Sequence, residues 1–506
     1  MENIIGLGFF IEKYVKQPFK MSSGEKLNAI QRMFRFTGME KGRGFVFFCV
    51  FAGFGIGSII DRSDTHKMVL WRDRSALYGG NIREGIDPPS WPSPYHRKIM
   101  NKSIVFLALL PLAWSQCFQR NESTQLTADK LYYGQRKFTV ALLDALQKAR
   151  PNDSLFFSPH STYRTLLLAY FGANGETEEA LKSTLRLDWA ESKADVSHAY
   201  EVEKVARLRR VQHQTVEFNS VDRLYFSKQV EVRECMSKMF NDSIKQLDFQ
   251  ADPEKARTEI NEFVESVTKN NIKDLLIPGS ISEATKLVVA NAAFFKGQWA
   301  SKFEKEDTEK KIFYDHGRMP VFVDMMRQRG NFNYGVLEKL KTVFLEMPYQ
   351  GEDGSISMFI FLPIFTPTAI DEMLAEMTPE ILDEVFEGGL TREVDVEFPK
   401  ISFERTFELV PILQRMGVGN LFDSSADLSG FSEKSKLNFD DAVHKAKIEI
   451  DEEGSTAAAA TAIFSFRSSR PTEPAQFICS HPFMFLIHDQ KSKEILFAGV
   501  YRGPSQ

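Results

Sequence analysis

The residues with the clearest chemical potential lie in one stretch near the C-terminus, where recognition residues for a protease follow a run of very small side chains. The guanidinium of Arg467 suits the carboxylate-lined specificity pocket of a trypsin-like enzyme, and Arg470 offers a second basic position. Residues 454–462 are only Gly, Ser, Thr and Ala, so a strand made from them would carry only small side chains on both of its faces. Such a strand could enter a preformed sheet without a clash. A helix N-capped by Ser455 or Thr456 is equally compatible with these residues alone.

Composition and motifs exclude several other classes of function. The net charge of −5 argues against a nucleic-acid partner. The four cysteines show no CxxC spacing and no Cys/His cluster, so they predict neither a zinc site nor a disulfide scaffold: Cys49, Cys117, Cys235 and Cys479. Because GxSxG, HExxH and P-loop motifs are missing from the sequence, we expect no enzymatic activity, no metal and no cofactor.

The first 99 residues form a segment of a different kind. Residues 45–60 carry no charge and fall just short of the roughly 17 to 25 residues that a membrane-spanning helix needs, which predicts a short membrane span. A proline-rich linker follows at residues 86–94. The run GFGIGSIIDRSD (53–64) with WRDRSALY (71–78) resembles the smallest single-span accessory subunit of mitochondrial complex I, over about 35 residues between 45 and 78.

A secretory signal is expected inside the chain. Residues 96–102 are basic, residues 104–114 are apolar, and Ala113 and Ser115 are small residues at the positions that a signal peptidase reads. We therefore expect a signal peptide at 100–115, cleavage after Ser115 and a mature, secreted chain that begins at Gln116. A signal in this position suggests that two coding units have been joined. The alternative, a second buried or membrane helix, is too short to span a bilayer.

From about residue 126 to 506 the chain resembles the serpin family. The resemblance rests on motifs in the same order and at the same spacing: LFFSPHST (155–162), GANGET (172–177), LVVANAAFFKGQW (287–299), FPK (398–400), ADLSG (426–430), VHKA (443–446) and HPFMFLI (481–487). It implies an α+β fold with three β-sheets and about nine helices in a domain at 116–506. It also implies an exposed reactive-centre loop at about 452–476.

The resemblance implies a suicide-substrate mechanism, in which a serine protease cuts the loop and the cut segment inserts into the main sheet as a new strand. The hinge of that segment would be Glu452, Glu453, Gly454, Ser455, Thr456, Ala457, Ala458, Ala459 and Ala460. The region where the sheet parts would contain Ser158, Pro159, Ser161, Asn291, Trp299 and His444. A non-inhibitory serpin that acts as a carrier, chaperone or storage protein is the alternative, although such hinges tend to carry bulky, charged or proline residues.

The bond cut by the protease has three candidates. The hinge length usual in the family places the cut after Ser468, whereas the chemistry favours Arg467. Arg470 is disfavoured because Pro471 follows it and removes a backbone N–H. We predict cleavage at Arg467-Ser468, with Ser468-Ser469 second and Arg470-Pro471 third, and a covalent complex between a trypsin-like protease and a monomeric inhibitor.

Two kinds of surface site complete the expectations. Four cations in a helix predicted to start near Ser197 define what we call the basic patch, and they could bind a heparin-like glycosaminoglycan or form only a solvated face: Lys204, Arg207, Arg209 and Arg210. Three N-x-Ser sequons could carry glycans in a secreted protein: Asn121, Asn152 and Asn241.

Overall fold

The computed structural model describes residues 117–118, 128–211, 216–351, 356–440, 442–452 and 473–504, with the side chains of 208–211 left out. All of these residues belong to the second of the two units into which the chain divides, Lys102–Gln506. Three predicted segments lie wholly or mostly outside the described residues: the membrane span at 45–60, the signal peptide at 100–115 and the reactive-centre loop at about 452–476. Within them, no helix combines the length and the apolar character that a membrane crossing requires.

Nine α-helices are present in the described residues, in agreement with the expected number. They are α1 (Asp129–Ala149), α2 (Pro159–Gly172), α3 (Gly175–Thr184), α4 (Lys193–Val211), α5 (Glu234–Met239), α6 (Pro253–Val267), α7 (Ala369–Glu376), α8 (Pro379–Glu387) and α9 (Leu409–Arg415). Two short 3-10 helices lie at Lys305–Asp307 and Gly419–Phe422. The α4 helix begins at Lys193, four residues before the predicted start.

Fourteen strands are present in the described residues. They are β1 (Leu155–Phe157), β2 (Glu217–Ser227), β3 (Ile244–Leu247), β4 (Leu287–Lys296), β5 (Glu309–Asp315), β6 (Met319–Leu337), β7 (Thr342–Pro348), β8 (Ile356–Pro363), β9 (Leu390–Pro399), β10 (Ile401–Glu408), β11 (Ala442–Ile450), β12 (Ala475–Ile478), β13 (Phe483–Asp489) and β14 (Glu494–Tyr501).

The strands form two continuous hydrogen-bonded sheets where three were expected. The main sheet has the order β10-β11-β4-β2-β3, and the second has the order β1-β14-β13-β8-β7-β6-β9-β12, with β5 on β6. The 19-residue strand β6 joins the parts that a three-sheet division would separate. It pairs with β5 near its start, with β9 along its middle and with β7 at its end.

The main sheet is covered on both faces because its central strand is apolar on both. Ala290, Ala292 and Phe294 of β4 pack in one cluster with Ile260 and Val264 of α6. The alternate residues of β4 point to the opposite face, where α2 lies against β2 and β4. A strand buried on both sides therefore appears in the sequence as a continuous apolar run.

Helix α2 is fixed at its start by its own sequence. Ser158 is the N-cap and its Oγ accepts a hydrogen bond from the backbone N–H of Ser161 (3.1 Å), while Pro159 occupies the first turn. Every residue of α2 is buried. The cap sets the point at which α2 begins beneath the sheet, and so it positions the side chains described next.

Candidate strand-insertion site

Strands β4 and β11 are parallel neighbours at the centre of the main sheet. Seven residue pairs align along them, from Ala442 opposite Val289 to Ile448 opposite Phe295. Strand β11 ends at Ile450, and the predicted reactive-centre loop begins two residues later. A loop segment that turned back between the two strands would therefore run antiparallel to both.

A buried polar network lies at the middle of this strand pair. His444 of β11 stands opposite Asn291 of β4, and its Nδ1 contacts Asn291 Oδ1. Asn291 Nδ2 in turn donates to Ser161 Oγ (2.9 Å) and to Thr165 Oγ1 (2.7 Å) on α2. The network therefore ties both strands to the helix beneath them.

The hydrogen bonds fix the protonation state of His444. Its Nε2 accepts from the backbone N–H of Ser158 (2.9 Å), so the proton must sit on Nδ1, which donates to Asn291. Burial lowers the pKa of His444 to about 3 because the charged imidazolium would lose its hydration. His444 is therefore neutral at physiological pH, and protonation would remove the acceptor that Ser158 needs.

A second set of contacts lies just beyond the C-terminal end of β11. Asp451 is about 23 Å from His444 along the strand, at roughly 3.3 Å per residue. The carboxylate of Glu452 accepts from Lys400 Nζ (2.8 Å) and from Thr308 Oγ1 (2.9 Å). Burial alone would raise the pKa of Glu452, but these hydrogen bonds outweigh it and hold that pKa below its ordinary value. Trp299 Nε1 donates to Asp451 O (3.1 Å), and the indole stacks on Tyr349 with ring centroids 4.5 Å apart. The first residue of the predicted hinge, Glu452, is thus held by an ion pair, and the preceding residue is held by the stacked indole of Trp299.

Comparison with known proteins identifies this arrangement. The model of the family described as Serpin (serine protease inhibitor) matches residues 133–504. The chain belongs to the serpin family. It is similar to serine protease inhibitor 88Ea of Drosophila melanogaster, with 41% identity over 74% of this chain and 91% of that protein. It is also similar to leukocyte elastase inhibitor A of Rattus norvegicus, with 35% identity over 72% of this chain and 97% of the relative.

Solved structures agree with this assignment. The crystal structure of uncleaved ovalbumin superposes with a TM-score of 0.65 at 26% identity, over 74% of this chain and all of that one. The predicted serpin family and fold are therefore confirmed. The family and its inhibitory relatives support protease inhibition as the function of this serpin.

The six residues predicted for the sheet-opening region fall into two groups. Ser158, Pro159, Ser161, Asn291 and His444 lie together around the start of α2 and the middle of the strand pair. Trp299 lies apart from them, at the top beside Asp451. The predicted region therefore consists of two separate sites: the polar network at the start of α2, and the contact of Trp299 with Asp451.

The hinge and the reactive bond fall mostly outside the described residues. Glu452 is the one hinge residue that the structure describes. Glu453 to Ala460, Arg467, Ser468, Ser469, Arg470 and Pro471 all lie in 453–472, which is outside the described part of the chain. Their predicted roles stay predictions.

The side chains of Lys204 and Arg207 in the basic patch are less exposed to solvent than the sequence suggested. Lys204 Nζ pairs with Asp242 Oδ2 at 2.6 Å, and Arg207 Nε lies 3.6 Å from Glu203 Oε1. Both side chains are about three-quarters buried, at 25% and 28% exposure. Lys204 and Arg207, two of the four cations, therefore have neighbouring carboxylates as partners. The side chains of Arg209 and Arg210 lie outside the described residues.

Two sequons can be placed. Asn152 and Asn241 are exposed, in the turn before β1 and in the turn after α5, and both are accessible for glycosylation. Asn121 lies outside the described residues.

Sequence reasoning missed two charged residues that join the polar network. Arg164 is buried on α2 and contacts Glu203 of α4, while Asp222 of β2 accepts from the Ser161 hydroxyl. Arg164 is the only formal charge in a helix that is otherwise neutral and wholly buried. A lone charge in such a helix needs a partner, and that signal was available in the sequence.

The pairing of two cysteines was also missed. Cys117 and Cys235 form a disulfide with their Cα atoms 5.3 Å apart. Cys235 lies on α5, and Phe118 next to the bond packs on Phe171 of α2 with ring centroids 5.7 Å apart. One disulfide across 118 residues gives no spacing pattern, so composition could not predict it.

Proposed function

We propose that this serpin is a secreted inhibitor of a trypsin-like serine protease that traps its target by inserting the cleaved loop between β4 and β11. The parallel pairing of these two strands carries the proposal. A segment leaving β11 and returning between them would replace one parallel ladder with two antiparallel ladders, which are slightly more stable per residue. Because residues 454–462 are small, they could occupy that position without displacing the side chains on either face.

The contacts around the strand pair favour a sheet that is closed before cleavage and able to open. Glu452, which is held by Lys400, is the first residue of the predicted loop. The network around His444 consists of hydrogen bonds rather than interlocked apolar side chains. Hydrogen-bonding groups of this kind can exchange partners with an incoming strand. The inhibitory reading is therefore favoured over a carrier, chaperone or storage role.

The disulfide supports secretion. Disulfides persist in oxidising compartments and are rare in the cytosol. Cys117 lies two residues after the predicted cleavage at Ser115, so the bond would tie the new N-terminus of the mature chain to α5. A trypsin-like target is supported by Arg467, whose guanidinium matches a carboxylate-lined pocket.

Metastability is the property that tests the insertion mechanism. After cleavage in the loop the thermal midpoint should rise markedly, because the inserted strand adds ladder hydrogen bonds and buries apolar surface. Equal midpoints for the intact and cleaved protein would instead support the non-inhibitory alternative.

A matched pair of variants tests where the insertion occurs. Ser455→Glu places a charge in the segment that must be buried, so it should convert the inhibitor into a substrate that is cut without forming a stable complex. Thr472→Glu, beyond all three candidate bonds, adds the same charge outside the inserted segment and should keep complex formation. Loss of the complex in both variants would contradict the mechanism.

Incubation with trypsin and with elastase tests the reactive bond. A complex that survives SDS with trypsin, and a released C-terminal peptide whose mass begins at Ser468, are expected for cleavage after Arg467. A peptide that begins at Ser469, or a complex with elastase only, would contradict the assignment to Arg467.

A further inference from the structure

A polar cavity lies between α2, α4, β2 and α6, outside the strand-insertion site. Its volume is about 140 Å³, and we call it the arginine pocket because three arginines from three different elements line it: Arg164 of α2, Arg207 of α4 and Arg223 of β2. Asp222 and Asp242 also contribute to the lining. The arginines give the lining one more positive than negative charge.

Two buried N–H donors at this pocket lack an acceptor among the described residues. They are Nε of Arg164 and Nε of Arg207. The nearest carboxylate oxygens, on Asp222 and Glu203, are 3.4 Å and 3.6 Å away in ion pairs without hydrogen-bond geometry. Arg164 is only 7% exposed. Buried donors without an acceptor are rare, and a bound ion or an ordered water usually explains them.

The acidic groups near the pocket already have strong partners. Asp242 pairs with Lys204 Nζ at 2.6 Å, and the carboxylate of Glu203 contacts Arg164. The carboxylates form ion pairs with Arg164 and Arg207 but no hydrogen bond to the Nε of either arginine, and Oε1 of Glu203 also lacks a hydrogen-bond partner among the described residues.

Arg223 carries the surplus charge. Its Nε and Nη2 donate to the backbone oxygen of Asp242 at 3.1 Å and 2.8 Å, and its guanidinium lies 3.8 Å over the ring of Phe263. Both of these partners are neutral. Within the described residues, no carboxylate forms an ion pair with Arg223.

We infer that the arginine pocket binds a small tetrahedral oxyanion, sulfate or phosphate. Guanidinium groups hold such anions through paired, charge-assisted hydrogen bonds, and three elements of the fold contribute arginines to the lining of this pocket. A volume of about 140 Å³ is many times what one water requires. The inference does not depend on protease inhibition, since it concerns residues away from the loop.

Thermal melting of the full chain with sodium sulfate, compared with sodium chloride at equal ionic strength, tests the site. Sulfate should raise the midpoint of the wild-type protein in a saturable way. Arg223→Gln should weaken the apparent affinity by about tenfold, since it removes one charge-assisted contact. Arg392→Gln is the matched control, because Arg392 also lies over a ring, with its Cζ 5.4 Å from the centroid of Tyr334, and it should respond like the wild type. Equal responses of all three proteins would overturn the proposal.

Crystals soaked in selenate give a second, independent measurement. An anomalous peak within hydrogen-bonding distance of Arg207 and Arg223 is expected, and water alone in the pocket would overturn the assignment. Adding heparin then separates two sources of the same chemistry. Displacement of selenate would indicate the sulfate group of a polysaccharide, and its retention would indicate a free ion.

Discussion

Acidification should open the main sheet through His444. The pKa of this histidine is lowered to about 3 in the folded protein and is about 6.5 for a solvated imidazole. Because the folded pKa is the lower one, the stabilisation is complete above pH 6.5 and is lost progressively as the pH falls from 6.5 towards 3. One pH unit in that window corresponds to about 1.4 kcal/mol. Moving from neutral pH to pH 5 should therefore cost the closed strand pair about 2 kcal/mol, or about 30-fold in its equilibrium with the open form.

Incorporation of a fluorescent peptide with the sequence of residues 454–466 measures this opening, because in the proposed mechanism the peptide enters where β4 and β11 have separated. The rate should rise as the pH falls below 6.5 in the wild-type protein. His444→Gln keeps an acceptor for Ser158 and a donor for Asn291 but does not titrate, so the dependence should vanish.

A second histidine provides the control. Burial also lowers the pKa of His488 to about 3, but His488 lies in β13 of the second sheet. Its ring stacks on Phe386 of α8, with ring centroids 3.8 Å apart. His488→Gln should therefore keep the dependence of the insertion rate on pH. The same pH profile in wild type and His444→Gln, or its loss in His488→Gln, would refute the role assigned to His444.

Three further outcomes are expected. Lys400→Met should speed peptide incorporation about tenfold, because it leaves the buried carboxylate of Glu452 without its cation. The cost is about 1 to 2 kcal/mol after allowance for the exposure of Lys400. Lys311→Met is the control: it breaks the 2.5 Å ion pair with Glu397 in the second sheet, so it should lower the melting midpoint without changing the rate of incorporation. Replacing all four cations of the basic patch with alanine should reduce retention on immobilised heparin in a salt-dependent manner, and unchanged retention would identify the patch as a solvated face. N-terminal sequencing of secreted protein should begin at Gln116, and a secreted form that retains residues 45–60 would contradict the predicted signal.

The elements with the strongest sequence patterns were the ones that sequence reasoning placed best. The apolar run of β4 is continuous because both faces of that strand are covered, by α6 on one side and by α2 on the other. Helix α1 shows its buried face as regularly spaced leucines. In both cases the pattern reflects an environment that is uniform along the whole element, so a single sequence is enough to reveal it.

Pairwise contacts between distant residues could not be obtained in the same way. Lys400 belongs to a motif that sequence reasoning had noticed, yet its partner Glu452 lies 52 residues farther along the chain. Lys204 illustrates the reverse case, since a cation that looked exposed on a predicted helix meets Asp242 from the turn before β3. Which charges meet depends on how the elements pack, and residue type and spacing do not contain that information.

The polar network between β4 and α2 has a physical rationale if the sheet parts as the proposed mechanism requires. Apolar side chains packed between strands lose their contacts when the strands separate, and a strand of small residues could not replace those contacts. The network instead holds β4 and β11 through the directional hydrogen bonds of Asn291 and His444. Such bonds stabilise one register while both partners are in place, and each unsatisfied group is costly once they part. The pair should therefore open rarely without a replacement strand and readily with one, which is the behaviour that loop insertion requires.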